Sequence, residues 1–396
     1  MKLLIVADGR SPITRRWISM LQPLGYEINL ISTYSCSPLD GVKNIAILPV
    51  AFARFAGSQA GGSAAKKPAS RRNLISRFRS LASGLRHWLG PWTIPHYQRE
   101  FLTLIESFKP DLVHALRIPF EGMLASYTPK SIPLILSTWG NDLTFHAPST
   151  LRMARCTHRA LERADGLMSD TLRDIRLAGE WGFSLKKPTL NVVGNGGINL
   201  AEIQNAIKEI TPADPPQVIN PRGFRSGSVR NDTFFKSIPL VLEKRPEVRF
   251  LCPWMAGQRE ALDWVERLGI GQNLTLLPML SQTELWREFA RSAMSISVSV
   301  HDGTPNSLLE AMSVGCLPVC GDIESIREWI IDGENGLLVD PASPADLAAA
   351  ILRGLEDTEL RRKAAERNLE MIRSRAEVSL VRRKVFDFYQ EIGEKM

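Results

Sequence analysis

The chain has 396 residues, of which 44% are hydrophobic and 23% charged, and its formal net charge at pH 7 is +7. This length exceeds what one hydrophobic core usually holds, so two domains are expected. No apolar run approaches the roughly 18 residues of a membrane-spanning helix. The N-terminal MKLLIVADG predicts a first buried strand, because its apolar part is too short for a signal peptide.

Cysteine use is sparse, with five residues in the chain. Cys316 and Cys320 flank a predicted strand and lack nearby metal-ligand partners, so we expect them in the core and predict no metal site. This pattern is typical of a reducing cytoplasm, which is the predicted location.

Charge is unevenly distributed. Residues 1–200 carry 25 Lys and Arg against 13 Asp and Glu, and no acidic residue lies between Asp40 and Glu100. The N-terminal half is therefore expected to face an anionic partner, such as a membrane surface, a phospholipid-linked acceptor or a polyanion.

The first half alternates apolar runs with segments of helical periodicity, which predicts a parallel sheet with helices on both faces. Active sites of such sheets lie beyond the carboxyl ends of the strands. The predicted strands are Lys2–Ala7, Glu27–Ser32, Asn44–Pro49, Leu112–Ala115, Ile132–Ser137, Gly166–Ser169 and Leu190–Val193, and the predicted helices are Thr14–Leu24, Gln98–Phe108 and Leu151–Ala164.

Ser70–Leu89 has apolar residues at helical spacing and several arginines on its other faces. Such a basic amphipathic helix can lie on an anionic membrane, which would make the protein peripheral on the inner face of the cell membrane. It can equally pack its apolar stripe on the domain, and both interpretations stay open. The preceding Ala56–Ala69 is rich in Gly, Ser and Ala and predicts a flexible loop.

A proline-rich linker near Asn205–Gln217 separates the two halves, after which the alternation restarts. The predicted strands are Val218–Asn220, Arg249–Cys252, Leu274–Leu277, Ala293–Val300, Leu317–Cys320 and Gly336–Val339, and the helices are Asp232–Glu243, Arg259–Leu268, Gln282–Ala290, a helix from Leu308 and a last helix near Ala376–Ile392.

The most informative segment follows the strand that ends at Val300. Asp302 precedes a loop of small and turn-forming residues, Gly303, Thr304, Pro305, Asn306 and Ser307, and a helix containing Glu310 begins after it. The N-terminus of a helix presents unpaired N–H groups and a positive dipole end, which suit a diphosphate. The two carboxylates are placed to accept hydrogen bonds from sugar hydroxyls. The segment therefore predicts a nucleotide-sugar site.

The same segment resembles the donor-binding motif of family 4 retaining glycosyltransferases of the GT-B fold. The matching residues are Leu309-Glu310-Ala311-Met312, Gly315, Pro318-Val319 and Asp332-Gly333-Glu334-Asn335-Gly336-Leu337-Leu338-Val339. The chain departs from the family in having Asp302 where a Glu is usual. The resemblance implies two Rossmann-like, doubly wound domains facing a central cleft. These are an acceptor domain at 1–205, a donor domain at 206–375 and a helix at 376–396 that packs back on the first domain.

The resemblance also implies donor residues outside the motif. Arg222, at the end of a strand, matches a family arginine that grips the donor diphosphate, and Arg230 falls where the family has a lysine with the same role. Gly9 follows the first strand, in a loop that lies near the donor phosphates in the family. For Arg222 and Arg230 the alternative is a solvated loop arginine.

Ser137–Asp142 resembles the family's HG.D segment, with Trp139 where many members have a histidine that binds the donor sugar. Asp142 is expected to contact donor or acceptor hydroxyls. His146, four residues further on, is a candidate substitute for the missing histidine, and the alternative is a packing or surface role.

Members of this family transfer a sugar from a nucleotide diphosphate sugar with retention of configuration and without a divalent metal. The expected acceptor is a saccharide or a lipid-linked saccharide of the cell envelope. A soluble small-molecule acceptor is one alternative, and a catalytically weak nucleotide-sugar-binding subunit is another. No nucleic-acid-binding motif occurs, so no nucleic-acid partner is predicted. No cofactor is expected, since no segment suggests a site for pyridoxal phosphate.

Overall fold

The computed structural model describes residues 1–53, 79–225 and 227–394, with side chains described from residue 86 onward in the second range. The predicted loop at Ala56–Ala69 lies outside the described residues, as does the part of the predicted basic helix before residue 79. From Arg79 the chain is helical to Thr93.

Parallel strands form the framework of the described chain, and several have the predicted bounds, including Lys2–Ala7, Leu112–Ala115 and Arg249–Cys252. The strands are β1 Lys2–Ala7, β2 Glu27–Ser32, β3 Asn44–Ile47, β4 Leu112–Ala115, β5 Leu134–Thr138, β6 Gly166–Ser169, β7 Thr189–Asn191, β8 Gln217–Ile219, β9 Arg249–Cys252, β10 Leu274–Leu276, β11 Met294–Ser297, β12 Leu317–Gly321 and β13 Leu337–Val339.

Helices connect most of these strands. Those described are α1 Pro12–Leu21, α2 Arg79–Thr93, α3 Gln98–Phe108, α4 Met123–Ala125, α5 Leu151–Arg163, α6 Leu172–Glu180, α7 Leu200–Ile207, α8 Asn231–Leu242, α9 Arg259–Leu268, α10 Gln282–Arg291, α11 Asn306–Ser313, α12 Glu324–Arg327, α13 Pro344–Glu356, α14 Thr358–Arg375 and α15 Val378–Glu394.

The first unit comprises Met1–Gly197 and Val378–Met396. Its sheet has the order β3-β2-β1-β4-β5-β6-β7, and every pair is parallel. Leu3, Leu4, Ile5 and Val6 are all inaccessible to solvent. A parallel sheet covered on both faces needs such continuous apolar strands, which is why they were recognisable in the sequence.

The last helix, α15, packs within the first unit. The hydroxyl of its buried Tyr389 lies 2.7 Å from Nδ1 of His114 on β4. It also accepts a hydrogen bond from Nε1 of Trp17 on α1 at 3.3 Å. These two contacts attach the C-terminal helix to the sheet and to the first helix of this unit.

The second unit comprises Ile198–Glu377, with the all-parallel sheet order β10-β9-β8-β11-β12-β13. In both units the first strand lies beside the second and the fourth, so the direction of winding reverses between the first and fourth strands. In doubly wound sheets ligands bind outside the carboxyl ends of the strands at this reversal. The predicted doubly wound α/β architecture is confirmed.

The predicted linker differs from the structure at its start. Helix α7, Leu200–Ile207, was not predicted, and it packs against α10 within the second unit. Its N-cap is Asn199, whose side chain accepts a hydrogen bond from the N–H of Glu202 at 3.2 Å. The units therefore divide at Gly197 and Ile198, whereas the boundary expected from the prolines was at 205 and 206.

Candidate functional site

Three of the residues singled out in the sequence meet at the carboxyl edge of the second sheet. Arg222 follows β8, Asp302 follows β11, and these two strands are neighbours at the winding reversal. Nη2 of Arg222 lies 2.5 Å from Oδ2 of Asp302, and its Nη1 lies 3.5 Å from Oγ of Ser307. The cluster combines a guanidinium, a carboxylate and a hydroxyl at the start of α11.

Arg222 is held tightly, with 6% of its side chain exposed. Its N–H donates to Oδ1 of Asn220 at 2.9 Å. Its Nε is buried and has no hydrogen-bond partner among the described residues. A buried guanidinium with an unused donor is a suitable ligand for a diphosphate, which accepts several charge-assisted hydrogen bonds.

Asp302 is fixed by neighbours on its own loop as well as by Arg222. Its carboxylate accepts from Oγ of Ser299 and from the N–H of Gly303, each at 3.1 Å. Its carbonyl oxygen accepts from Oγ of Ser325 at 2.8 Å. This carboxylate therefore neutralises and positions Arg222.

The loop that begins at Gly303 leads into α11, Asn306–Ser313, which starts two residues before the predicted Leu308. Pro305 is the N-cap residue of α11 and has an extended backbone conformation. Thr304 is buried, and its hydroxyl oxygen accepts a hydrogen bond from Nε1 of Trp329 at 2.9 Å. Asn306 and Ser307 are half-buried at the first turn, where the helix presents its unpaired N–H groups. A partly buried, hydrogen-bonded loop therefore lies at the positive end of a helix.

Glu310 lies one turn into α11 and is 3% exposed.

Arg230 is the N-cap residue of α8 at the same sheet edge, where its N–H donates to the carbonyl of Val298 at 2.9 Å. Its guanidinium forms a two-point contact with Asp232 at 2.8 and 2.9 Å and stays about one-third exposed. Arg230 is therefore a more solvated cation than Arg222.

In the first unit, Gly9 lies at the carboxyl end of β1. Its N–H donates to Oγ of Ser32 at 3.0 Å, and a Cβ at this position would come within 2.5 Å of Sγ of Cys36. Only a glycine fits here without displacing that side chain. The neighbouring Arg10 pairs with Asp8 at 3.0 Å and lies 3.6 Å from the ring centroid of Tyr34.

A cavity of about 390 Å³ opens at this edge of the first sheet. Its polar lining combines guanidinium, imidazole, phenol and carboxylate groups, which belong to Arg10, Arg86, Arg117, His87, His146, Tyr34, Asp8 and Glu121.

Asp142 is buried beneath this cavity with no exposed area. Its two carboxylate oxygens accept from Nε of Arg117 at 2.9 Å, from the N–H of Trp139 at 3.1 Å and from the N–H of Ile118 at 3.2 Å. Burial raises the pKa of Asp142, and the Arg117 guanidinium partly offsets the effect. These contacts place Asp142 behind Arg117, which itself lines the cavity.

His146 lines the cavity, and its Nδ1 lies 2.9 Å from Nε2 of His87. Burial, together with the nearby Arg117 guanidinium, lowers the pKa of His146 to about 2. Burial also lowers the pKa of His87. Both rings are therefore neutral at physiological pH, and one donates a hydrogen bond to the other.

Several cavity residues were not singled out in the sequence. Arg117 follows β4 and Tyr34 follows β2, so a polar side chain just beyond a buried strand was the available signal. Glu121, whose carboxylate accepts from Oγ1 of Thr33 at 2.6 Å, and Arg86 on α2 had no such signal. Their place in the cavity depends on tertiary packing.

Comparisons with known proteins agree with this layout. A family model described as "Glycosyl transferases group 1" matches residues 230–371, which contain Arg230, Asp302 and Glu310. The chain is similar to the D-inositol 3-phosphate glycosyltransferase of Nocardioides sp. (strain ATCC BAA-499 / JS614), with 30% identity over 158 residues, 36% of this chain and 34% of that protein. It spans about a third of the length of the curated relatives that it matches.

Solved structures resemble the whole chain. The sucrose-phosphate synthase of Thermosynechococcus elongatus matches with a TM-score of 0.74, 14% identity and complete coverage of both chains. The Anabaena protein HepE in complex with UDP-glucose matches with a TM-score of 0.67 and 15% identity, over 99% of this chain and 100% of that one. The predicted GT-B fold is confirmed by this similarity together with the two sheets.

Two features are absent from the part of the chain that the structure describes. Among the ranges 1–53, 79–225 and 227–394, no helix has both the length and the apolar character needed to cross a membrane. In the same part of the chain, no group of three or more His, Cys, Asp or Glu side chains is arranged to hold a metal ion.

Proposed function

We propose that this protein is a retaining glycosyltransferase of family 4 that moves a sugar from a nucleotide diphosphate sugar to a saccharide or lipid-linked saccharide acceptor. The main observation that supports this proposal is the cluster of Arg222, Asp302 and Ser307 at the N-terminus of α11. Asp302 and Ser307 lie within the segment that matches the group 1 glycosyltransferase model. A buried cation beside a helix N-terminus supports a diphosphate ligand.

Each donor residue has a proposed partner in the nucleotide sugar. Arg222, Arg230 and the N–H groups at Asn306 and Ser307 bind the diphosphate. Glu310 accepts hydrogen bonds from the ribose hydroxyls, and Asp302 accepts them from the transferred sugar. Because Asp302 is bonded to Arg222, the diphosphate of a bound donor competes with this carboxylate for the guanidinium.

The chemistry that this arrangement supports is same-face substitution at the anomeric carbon. The bond from that carbon to the departing diphosphate oxygen breaks as the bond to the acceptor oxygen forms on the same face. The acceptor proton passes to the departing diphosphate. Arg222 and the helix N-terminus stabilise the negative charge that develops there, which is the main contribution expected of the protein.

We further propose that transfer needs no divalent metal, because Arg222, Arg230 and the dipole of α11 supply positive charge where the diphosphate departs. Turnover should be unchanged when EDTA replaces added Mg²⁺ or Mn²⁺. Loss of turnover in EDTA, with recovery on adding either ion, would contradict this part of the proposal.

The cavity of the first unit is the proposed acceptor site. Nε of Arg86 is buried without a hydrogen-bond partner among the described residues, so it has a donor available for an acceptor oxygen. His146 is proposed to hydrogen-bond a sugar hydroxyl as a neutral imidazole. Asp142 is proposed as a positioning residue that orients Arg117, since its oxygens are occupied by Arg117 and two backbone N–H groups.

Helix α2 supports a peripheral membrane location. Trp88 is 70% exposed, and Leu89 and Trp92 are also exposed. The guanidinium of Arg152 lies 4.0 Å from the ring centroid of Trp92. Exposed Trp side chains with neighbouring arginines suit the interface of an anionic bilayer.

Vesicle co-sedimentation tests this location. Phosphatidylglycerol vesicles should bind the protein and phosphatidylcholine vesicles should not, and the double variant Trp88→Ala/Trp92→Ala should lose most of the bound fraction. Leu262→Ala, at a similarly exposed apolar residue of the second unit, is the matched control. Equal binding by the Trp variant and this control would contradict the membrane proposal.

The proposed activity is tested by screening UDP, GDP and ADP sugars against the purified chain for binding and turnover. Glu310→Ala should lose turnover, whereas Glu370→Ala, at an exposed helix position, should keep it. Near-normal turnover by the Glu310 variant would contradict the site assignment. Donor binding without any turnover would instead support a nucleotide-sugar-binding subunit.

A further inference from the structure

Trp254 is an exposed aromatic residue at the carboxyl edge of the second sheet. It follows β9 and is 44% exposed, although the next residue, Met255, is fully buried. Its backbone φ of 71° is in the left-handed region, which a bulky side chain rarely adopts. Such conformations persist only where the surrounding structure enforces them, and they cluster at functional sites.

Backbone hydrogen bonds to the next loop enforce this conformation. The N–H groups of Trp254, Met255 and Ala256 donate to the carbonyls of Pro278 and Leu277 at 2.9 to 3.2 Å. The side-chain amide of Gln258 donates to the carbonyl of Trp254. The loop after β9 is therefore tied to the loop after β10, and the indole is held outward by a fixed backbone.

The position of Trp254 relates it to the proposed diphosphate site. Gly223 directly follows Arg222, and a Cβ on Gly223 would lie 3.8 Å from Cβ of Trp254. The Trp254 side chain therefore starts next to the loop that contains Arg222 and Gly223, on the side of β9 and β10. Met279, which follows β10, is also exposed at this edge.

We propose that the indole of Trp254 is a stacking platform for the nucleobase of the donor nucleotide. This inference rests on the proposed function, because it takes the diphosphate position from Arg222. A nucleoside diphosphate held there has its base one ribose away, and the exposed indole offers that base a flat apolar face. Stacking accepts every base, so Trp254 contributes affinity and leaves the choice of base to other groups.

Calorimetric titration of the full chain with UDP, GDP, ADP and inorganic pyrophosphate tests the proposal. Trp254→Gly removes the indole with a residue that accepts the observed φ, and Trp254→Phe keeps an aromatic face. Leu262→Ala, at a residue of the same unit that is exposed to a similar extent, is the control. We expect Trp254→Gly to weaken nucleoside diphosphate binding about 10- to 100-fold while pyrophosphate binding is unchanged. Trp254→Phe should retain most of the affinity.

Two outcomes would refute the stacking role of Trp254 and leave the proposed donor site standing. One is unchanged nucleotide affinity in a folded Trp254→Gly protein. The other is a parallel loss of pyrophosphate affinity, which would indicate a disturbed loop. If the wild-type chain binds neither nucleotides nor pyrophosphate, the proposed donor site is refuted and the platform with it.

Discussion

Removal of the Asp302 side chain should destabilise the second unit, because it leaves the Arg222 guanidinium without its anionic partner. The two side chains are 6% and 17% exposed, so their ion pair is buried, and it is joined by bonds from Ser299 and Gly303. Removing one partner of a buried pair costs about 3–5 kcal/mol, because the other charge is left uncompensated. We take about 3 kcal/mol for Asp302→Ala, since this carboxylate keeps some solvent contact.

For a unit of this size, 1 kcal/mol corresponds to about 2–4 °C in Tm, so Asp302→Ala should melt roughly 6–12 °C lower. The matched control is Asp322→Ala, because Asp322 pairs with Arg327 at 2.6 Å on the surface of the same unit. An exposed pair contributes about 0–1 kcal/mol, so this control should shift Tm by only a few degrees.

Differential scanning fluorimetry with and without pyrophosphate measures both parts of the prediction. Pyrophosphate should restore stability to Asp302→Ala and raise its Tm more than it raises that of the wild type, because Arg222 no longer has a competing carboxylate. The double variant Arg222→Ala/Asp302→Ala should be less destabilised than the two single variants combined. Equal Tm values for Asp302→Ala and Asp322→Ala would refute the reasoning.

Three further predictions concern other parts of the chain. Trp254→Gly should be more stable than Trp254→Ala by about 1 kcal/mol in urea unfolding, because alanine keeps the left-handed strain; the reverse order would contradict the strained backbone. Burial lowers the pKa of His114 to about 3, below its ordinary value near 6.5, so the unfolded chain binds more protons between these values. Stability should therefore be full above pH 6.5 and fall on acidification towards pH 3, by up to about 1.4 kcal/mol per pH unit, and His114→Gln should flatten this slope. Arg222→Lys should keep the positive charge but lose the planar fork of guanidinium donors, so pyrophosphate affinity should fall about tenfold by calorimetry. An unchanged affinity would exclude a guanidinium-specific contact.

Much of the fold was predictable because parallel strands covered on both faces are continuous apolar runs. This is why β1, β4 and β9 have the predicted bounds. Helix α7 was not predicted because it directly precedes a proline-rich segment, with Pro212, Pro215 and Pro216, that is typical of a linker. The cap at Asn199, with Glu202 three residues later, is a signal that could have identified its start.

The candidate site was predictable residue by residue, but its contacts were not. The motif predicts Asp302, Ser307 and Glu310 as site residues, and the resemblance to the family adds Arg222. The ion pair between Arg222 and Asp302 depends on the adjacency of β8 and β11, which are far apart in the chain. The sequence predicts a sugar ligand for Asp302, and the tertiary structure shows that its carboxylate pairs with Arg222.

The histidine pair shows the same limit in the first unit. His146 is predicted as a substitute for the family histidine that Trp139 replaces. His87 lies on α2, where the sequence pattern predicts contact with a membrane surface or packing on the domain. Nothing in the local pattern around His87 indicates that its Nε2 contacts Nδ1 of His146. Helix packing brings the two rings together, and their burial keeps both neutral.

The most direct test of the central claim is calorimetric titration of the intact protein with a panel of nucleotide diphosphate sugars, comparing wild type with Arg222→Ala/Asp302→Ala. The double variant removes both members of the buried pair, so it avoids leaving one charge alone. We predict saturable one-site binding of at least one donor to the wild type and a loss of at least about tenfold in the double variant. Donor binding of equal strength in the two proteins, or no donor binding to the wild type, would contradict a donor site at this sheet edge.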